Sequence, residues 1–221
     1  MELILFFLPI ILMFAAQKYI TSTYKKHSTE SVSTGKSGYE AARIMLDQNN
    51  LSNVKILQVQ GELTDHFDPR TNTVSLSKSV YNDASIASVA IAAHECGHAI
   101  QHQENYIPIK IRQVMVPVVN ISSKIGFAMI FIGLFAQLLN IAFIGLILMS
   151  AGLLFQLVTL PVEFNASRRA KAFLYEKNIV TEIEKTKVNS MLNAAAMTYL
   201  ASFFATIMSM LRLLLIINRR R

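Results

Sequence analysis

Apolar residues fall along this chain in long blocks rather than at the alternating or helical spacing of a water-soluble fold. Leu3 to Ala16 is apolar throughout, with Pro9 inside it, and the run extends to Ile20 if Gln17 and a snorkelling Lys18 are admitted. Between Lys124 and Glu163 stand 38 residues without a single charge. As one helix they would reach about 57 Å, nearly twice the ~30 Å hydrocarbon thickness of a bilayer. Two spans joined near Gln137 to Asn140 are therefore predicted, the first reaching back towards Pro117 and the second ending near Leu160. A further uncharged stretch, Met191 to Leu211, has the length of a fourth span and precedes Arg212 and the tail Asn218-Arg219-Arg220-Arg221.

The stretch from about Ser22 to Arg112 is polar enough for water. It opens as a Thr-, Ser- and Gly-rich linker through Lys36, after which Ser37-Gly38-Tyr39-Glu40 has the spacing of a capping box. That box predicts a helix to about Gln48, ended by Asn49-Asn50. Val54 to Val59 reads as a strand, and His66 to Ser77 as a hairpin around Pro69-Arg70-Thr71-Asn72. Thr73 to Ser77 is expected to be an edge strand able to pair with an extended substrate. A helix from about Asp83 to His102 follows, closed before Asn105 and Pro108.

Composition sharpens this picture. Of 221 residues 52% are hydrophobic and only 16% charged, which excludes both a disordered chain and an ordinary soluble domain. The single cysteine, Cys96, cannot form an internal disulfide. A net charge of +7 would suit nucleic acid, but most of the basic residues flank the apolar blocks, as in membrane proteins. The Arg219 to Arg221 tail is read as a membrane-surface anchor, and no nucleic-acid partner is expected. Gly35-Lys36-Ser37 lacks the earlier glycine and the preceding strand of a phosphate loop, and is read as linker and helix cap.

The chemistry is concentrated in His94-Glu95-Cys96-Gly97-His98. Histidines four apart on a helix share one face, so both imidazoles can meet one metal, while Glu95 is rotated by about 100° towards the attacking water. Structural zinc is usually closed by four Cys or His ligands, whereas Cys96 points off this face and is read as a packing residue. A third ligand is needed. His102 continues the series but lies about 12 Å beyond His94 along the helix axis, too far for one ion unless the helix breaks; Glu104 has the same handicap. His66 on the hairpin is a less constrained alternative. Glu163 fits best, because a two-span hairpin returns the chain to its original side and Glu163 is the first charge met there. Its competing reading is a carboxylate paired with Arg168 or Arg169.

The runs AHECGHAIQH (Ala93 to His102), PIKIRQVMVPVVN (Pro108 to Asn120), LVTLPVEFNASRRA (Leu157 to Ala170) and LNAAAMTYLA (Leu192 to Ala201) resemble the bacterial YugP-type neutral zinc metallopeptidases of membranes. The resemblance covers nearly the whole chain after the first anchor. It implies a zincin-like, gluzincin-type unit with His94, His98 and Glu163 on Zn2+ and Glu95 as general base. Other membrane peptidases carry a Glu-x-x-x-Asp ligand helix; here Ser167 stands at the aspartate position, able to hydrogen-bond a histidine but not to supply charge. His102, Ser167 and Arg168 are thus supporting or substrate-side candidates.

The expected architecture is an α+β zincin-like catalytic domain joined to a mainly α-helical membrane domain of about four transmembrane helices. Residues 1–20 form an anchor, 21–112 the soluble part, 113–162 the two-span hairpin, 163–190 the third-ligand helix and connector, and 191–221 the last membrane helix and basic tail. The expected activity is zinc-dependent hydrolysis of peptide bonds in protein or peptide substrates, membrane proteins among them. The alternatives are a non-catalytic membrane scaffold or regulator that retains the fold and a hydrolase, other than a peptidase, acting on soluble substrates.

Sidedness follows from the basic residues. Lys18, Lys25 and Lys26 follow the first span and no basic residue precedes it, which puts the soluble part and its active site on the cytoplasmic side of a multi-pass cell-membrane protein. Arg168, Arg169 and Lys171 agree; a fourth crossing places the arginine tail outside, against the rule. Single-cysteine labelling in a Cys96→Ala background checks this. A probe at Asn72 should be protected from an impermeant reagent and one at Asn218 accessible; outside labelling of Asn72 would reverse the orientation.

Overall fold

The computed structural model describes residues 2–220, so Arg221 of the basic tail lies outside the described residues. The fold is mostly helical, with one three-stranded sheet. It divides into two compact units: one comprises the residues through Gln17, Ile107–Pro161 and Met197 onward, the other Lys18–Tyr106 and Val162–Ala196.

In the first unit the chain runs in helices long and apolar enough to cross a membrane: α1 (Glu2–Ser28), α5 (Ile107–Phe135), α6 (Leu139–Glu176) and α7 (Glu182–Arg220) all qualify over their apolar stretches. Their outward residues are apolar and exposed, Leu3, Phe127 and Phe135 among them, as lipid-facing surfaces require. The turn between α5 and α6 contains Gln137 in the left-handed region (φ 60°), at the break anticipated in the uncharged run. The two helices then pack backbone to backbone. A side chain at Gly126 would lie 2.7 Å from the Gly145 carbonyl, so small residues are obligatory at this crossing.

The second unit holds a conventional hydrophobic core. Ser37 caps α2 (Gly38–Gln48) as anticipated: its hydroxyl accepts from Glu40 N–H while the Glu40 carboxylate accepts from Ser37 N–H. Ala41, Ala42, Met45 and Leu46 form the buried face of α2, which packs on α4 (Ile86–Gln103). The run Val89 to Ala93 supplies α4's own buried surface, and Ser85 caps it by accepting from Ser88 N–H. Two strands of the sheet, β1 (Lys55–Val59) and β2 (His66–Asp68), flank the third, β3 (Thr73–Ser77). β3 pairs parallel with β1 and antiparallel with β2 and is buried along its length. A short helix α3 (Lys78–Asn82) leads from it towards α4.

Two expectations are corrected. Thr73 to Ser77 is the central strand, hydrogen-bonded on both sides, so it has no free edge for a substrate. The segment after Ile20 is not linker at first: α1 continues to Ser28, because Ile20, Tyr24 and His27 recur at helical spacing on a buried face.

The helix pair α4 and α6 positions the candidate site. A Cβ added at Gly97 would lie 2.8 Å from the Ala166 carbonyl oxygen and 3.1 Å from its Cα, closer than packed atoms tolerate. Gly97→Ala should therefore push the two helices apart and destabilise the protein by about 1–3 kcal/mol. Thermal unfolding in detergent measures this, and an unchanged midpoint would show that the contact has slack.

Candidate metal centre

His94 and His98 project from one face of α4 towards Glu163 on α6. Nε2 of His94 lies 3.3 Å from Glu163 Oε2, and Nε2 of His98 lies 3.6 Å from the same oxygen. Ligand atoms of the three residues all fall within 4.8 Å of one another. Glu163 is only 2% exposed, and both imidazoles stand within 3.6 Å of its buried carboxylate.

The opposite ring nitrogens are held as well. Nδ1 of His94 is 3.1 Å from the Ser167 hydroxyl, and Nδ1 of His98 is 3.0 Å from Oε1 of Gln101. Both rings are thus gripped from behind, with Nε2 turned to the common point. Burial disfavours charge on His98, but the facing Glu163 carboxylate and the nearby Glu95 outweigh it and hold the imidazole above its ordinary pKa. Charges arranged to favour a proton there would equally favour a cation.

The donor set fits zinc: two imidazole nitrogens and one carboxylate oxygen, three protein ligands with a position left over for chemistry. Cys96, the one soft ligand nearby, is turned away, its thiol within 3.6 Å of the Ala42 carbonyl, where burial pushes its pKa up. Glu95 is buried beside the histidines and lies within electrostatic reach of His98.

Other candidates fall outside the cluster. His102 is exposed and rests its ring 5.9 Å from that of Phe67. His66 is exposed, with Nδ1 2.8 Å from the Thr64 carbonyl. Glu104 forms a two-pronged ion pair with Arg169, at 3.0 and 2.6 Å. Arg168 is exposed.

Gln101 and Asn165 were not singled out from the sequence. The available signal was helical spacing: Gln101 is three residues after His98 on the same face, where a buried amide needs partners. A third unanticipated residue is Asp65. Its carboxylate accepts from Ser77 N–H at 2.7 Å and from the Ser77 hydroxyl at 3.2 Å, which anchors the end of β3.

With this geometry in hand, likeness to known proteins becomes informative. The family described as "Putative neutral zinc metallopeptidase" matches residues 2–218. The chain belongs to that family. It is 42% identical over 205 residues to the "Putative membrane protease YugP" of Bacillus subtilis (strain 168), covering 93% of this chain and 91% of that protein. No solved structure matches.

Asp65 gives a test of the electrostatics around the site. Burial holds its carboxyl above the usual carboxylate range; the Ser77 hydrogen bonds act in the opposite direction, and the charge of Glu95 adds to the rise. A carboxyl whose pKa is higher in the folded than in the unfolded chain costs stability while ionised, and the cost disappears as falling pH protonates it in both states. Asp65→Asn keeps an oxygen for Ser77 N–H. It should therefore raise the unfolding midpoint at about pH 8, with the advantage shrinking towards about pH 4. A variant less stable at both pH values would mean that the ionised carboxylate is favourable where it stands.

Proposed function

We propose that the protein is an integral membrane zinc metallopeptidase of the gluzincin type, built on a zincin-like unit, that hydrolyses peptide bonds at the His94, His98 and Glu163 cluster. The observation carrying this reading is the convergence of two imidazole Nε2 atoms and one buried carboxylate oxygen, with Glu95 between the two histidines on the same helix. Family membership and likeness to a relative named as a membrane protease support it.

His94, His98 and Glu163 would hold the zinc, which when bound acidifies water and polarises a carbonyl. Glu95 then acts as general base, taking a proton from the water oxygen as that oxygen attacks the scissile carbonyl carbon. The same carboxyl returns the proton to the amide nitrogen as the carbon–nitrogen bond breaks. Ser167 and Gln101 keep the imidazoles in place while charge develops beside them.

An extended substrate is proposed to lie along β2, not β3. The outer edge of β2 carries no strand among the described residues, and its Phe67 touches His102 on the catalytic helix. The lipid bilayer is the proposed setting and the cytoplasm the proposed side of the active site, which makes membrane-embedded proteins with cytoplasmic extensions accessible substrates.

Purified protein should hold about one zinc per chain by elemental analysis. His94→Ala, His98→Ala and Glu163→Ala should each lose it, and full zinc content in Glu163→Ala would remove that residue from the ligand set. Glu95→Gln should retain zinc and lose about a hundredfold or more in peptide hydrolysis. Undiminished hydrolysis by that variant would discard the general-base role, and zinc-loaded protein without hydrolysis of any peptide would favour a scaffold that retains the fold.

A further inference from the structure

A fully buried glutamine behind a metal-site histidine needs an explanation, because every polar atom of its amide must find a partner away from water. The Gln101 amide spans the gap between α4 and α6. Its Nε2 donates to the Val162 carbonyl at 2.8 Å and to Asn165 Oδ1 at 2.9 Å, and its Oε1 stands 3.0 Å from His98 Nδ1.

These contacts fix the orientation of the amide and the proton on the imidazole nitrogen that faces it. A backbone carbonyl can only accept, so the NH2 end of Gln101 must face Val162 and its oxygen must face His98. An amide oxygen also only accepts, so His98 Nδ1 must carry a proton, and in the neutral imidazole Nε2 is then left with its lone pair. That Nε2 is the atom turned towards Glu163. The Asn165 end is fixed in its turn: Oδ1 also accepts from Arg169 Nε at 2.7 Å, and the Arg169 guanidinium is clamped by both carboxylate oxygens of Glu104. Donation therefore runs from His98 through Gln101 to Asn165 Oδ1, where it meets the hydrogen bond from Arg169.

We propose that Gln101 is a positioning residue for the metal centre, locking His98 in the tautomer whose Nε2 can bind a cation and tying that lock to α6 through Val162 and Asn165. This rests on the zinc reading given above and adds a specific means by which the chain sets its metal affinity. The hydroxyl of Ser167 serves His94 in the same sense, but a hydroxyl both donates and accepts and so does not dictate the tautomer. Gln101 has no such freedom.

Two substitutions separate positioning from packing. Gln101→Met and Gln101→Glu both lose the NH2 contacts to Val162 and Asn165, but only the glutamate keeps an oxygen able to accept from His98 Nδ1. Zinc affinity is measured for full-length protein in detergent by competition with a chromophoric chelator. Gln101→Glu should bind zinc about 10–100-fold more tightly than Gln101→Met. Equal affinities, or loss of zinc by both variants while each remains folded, would overturn the positioning role.

The tautomer is also read directly from the unaltered protein by 15N spectra of histidine-labelled, zinc-loaded material, which needs neither variant to fold. His98 should show a protonated Nδ1, and a protonated Nε2 would overturn the inference. Failure of the unaltered protein to bind zinc at all would instead overturn the metal reading itself. Tight binding by the unaltered protein, matched by Gln101→Met, would leave the metal reading intact and remove only the role of Gln101.

Discussion

Gly97 presents no side chain to Ala166, and the backbones of α4 and α6 therefore meet where any larger residue would separate them. The close approach brings Glu163 within 3.6 Å of both imidazoles. It also lets one glutamine side chain reach from α4 to a backbone carbonyl of α6. The core around α4 serves the same end. Small residues from Ala87 to Ala93 let α2 come close, so α4 is fixed on one flank by packing and on the other by polar contacts. Precision comes from rigid helices rather than from loops.

Much of this was legible because the decisive signals are local. A capping box at Ser37 and Glu40 closes over four residues, and paired histidines four apart require only a helix to share a face. An uncharged run too long for one crossing must fold back, which carries Glu163 back to its partner helix. What escaped depends on distant parts of the chain. Whether Thr73 to Ser77 is central or at an edge is decided by β1 and β2 together, and its Thr, Val, Ser and Leu side chains suit either place. Ser22, Thr23 and Ser28 look like linker by composition, yet Ile20, Tyr24 and His27 are buried against the core and draw the segment into α1.

Gln101 illustrates a different limit. Glutamine is common on exposed helix surfaces, and the histidine immediately after it competes for notice as a ligand. Only the presence of α6 opposite distinguishes them, leaving His102 outside against Phe67 and enclosing Gln101 among acceptors. Residue type names the possible ligands, whereas the identity of the groups holding them is a property of the packed pair of helices.

The neutral character of these holding groups has an effect on how charge balances across the interior. Many metal sites orient histidines with carboxylates, each adding a negative charge. Here a hydroxyl and an amide take both places, so neither group holding an imidazole brings a negative charge to the cluster. Any further full carboxylate enclosed there would have to be compensated in a medium that solvates charge poorly. Asp65 lies within electrostatic reach of Glu95, and its burial favours its protonated form. The rings are thus oriented without adding to the charge buried between the two helices.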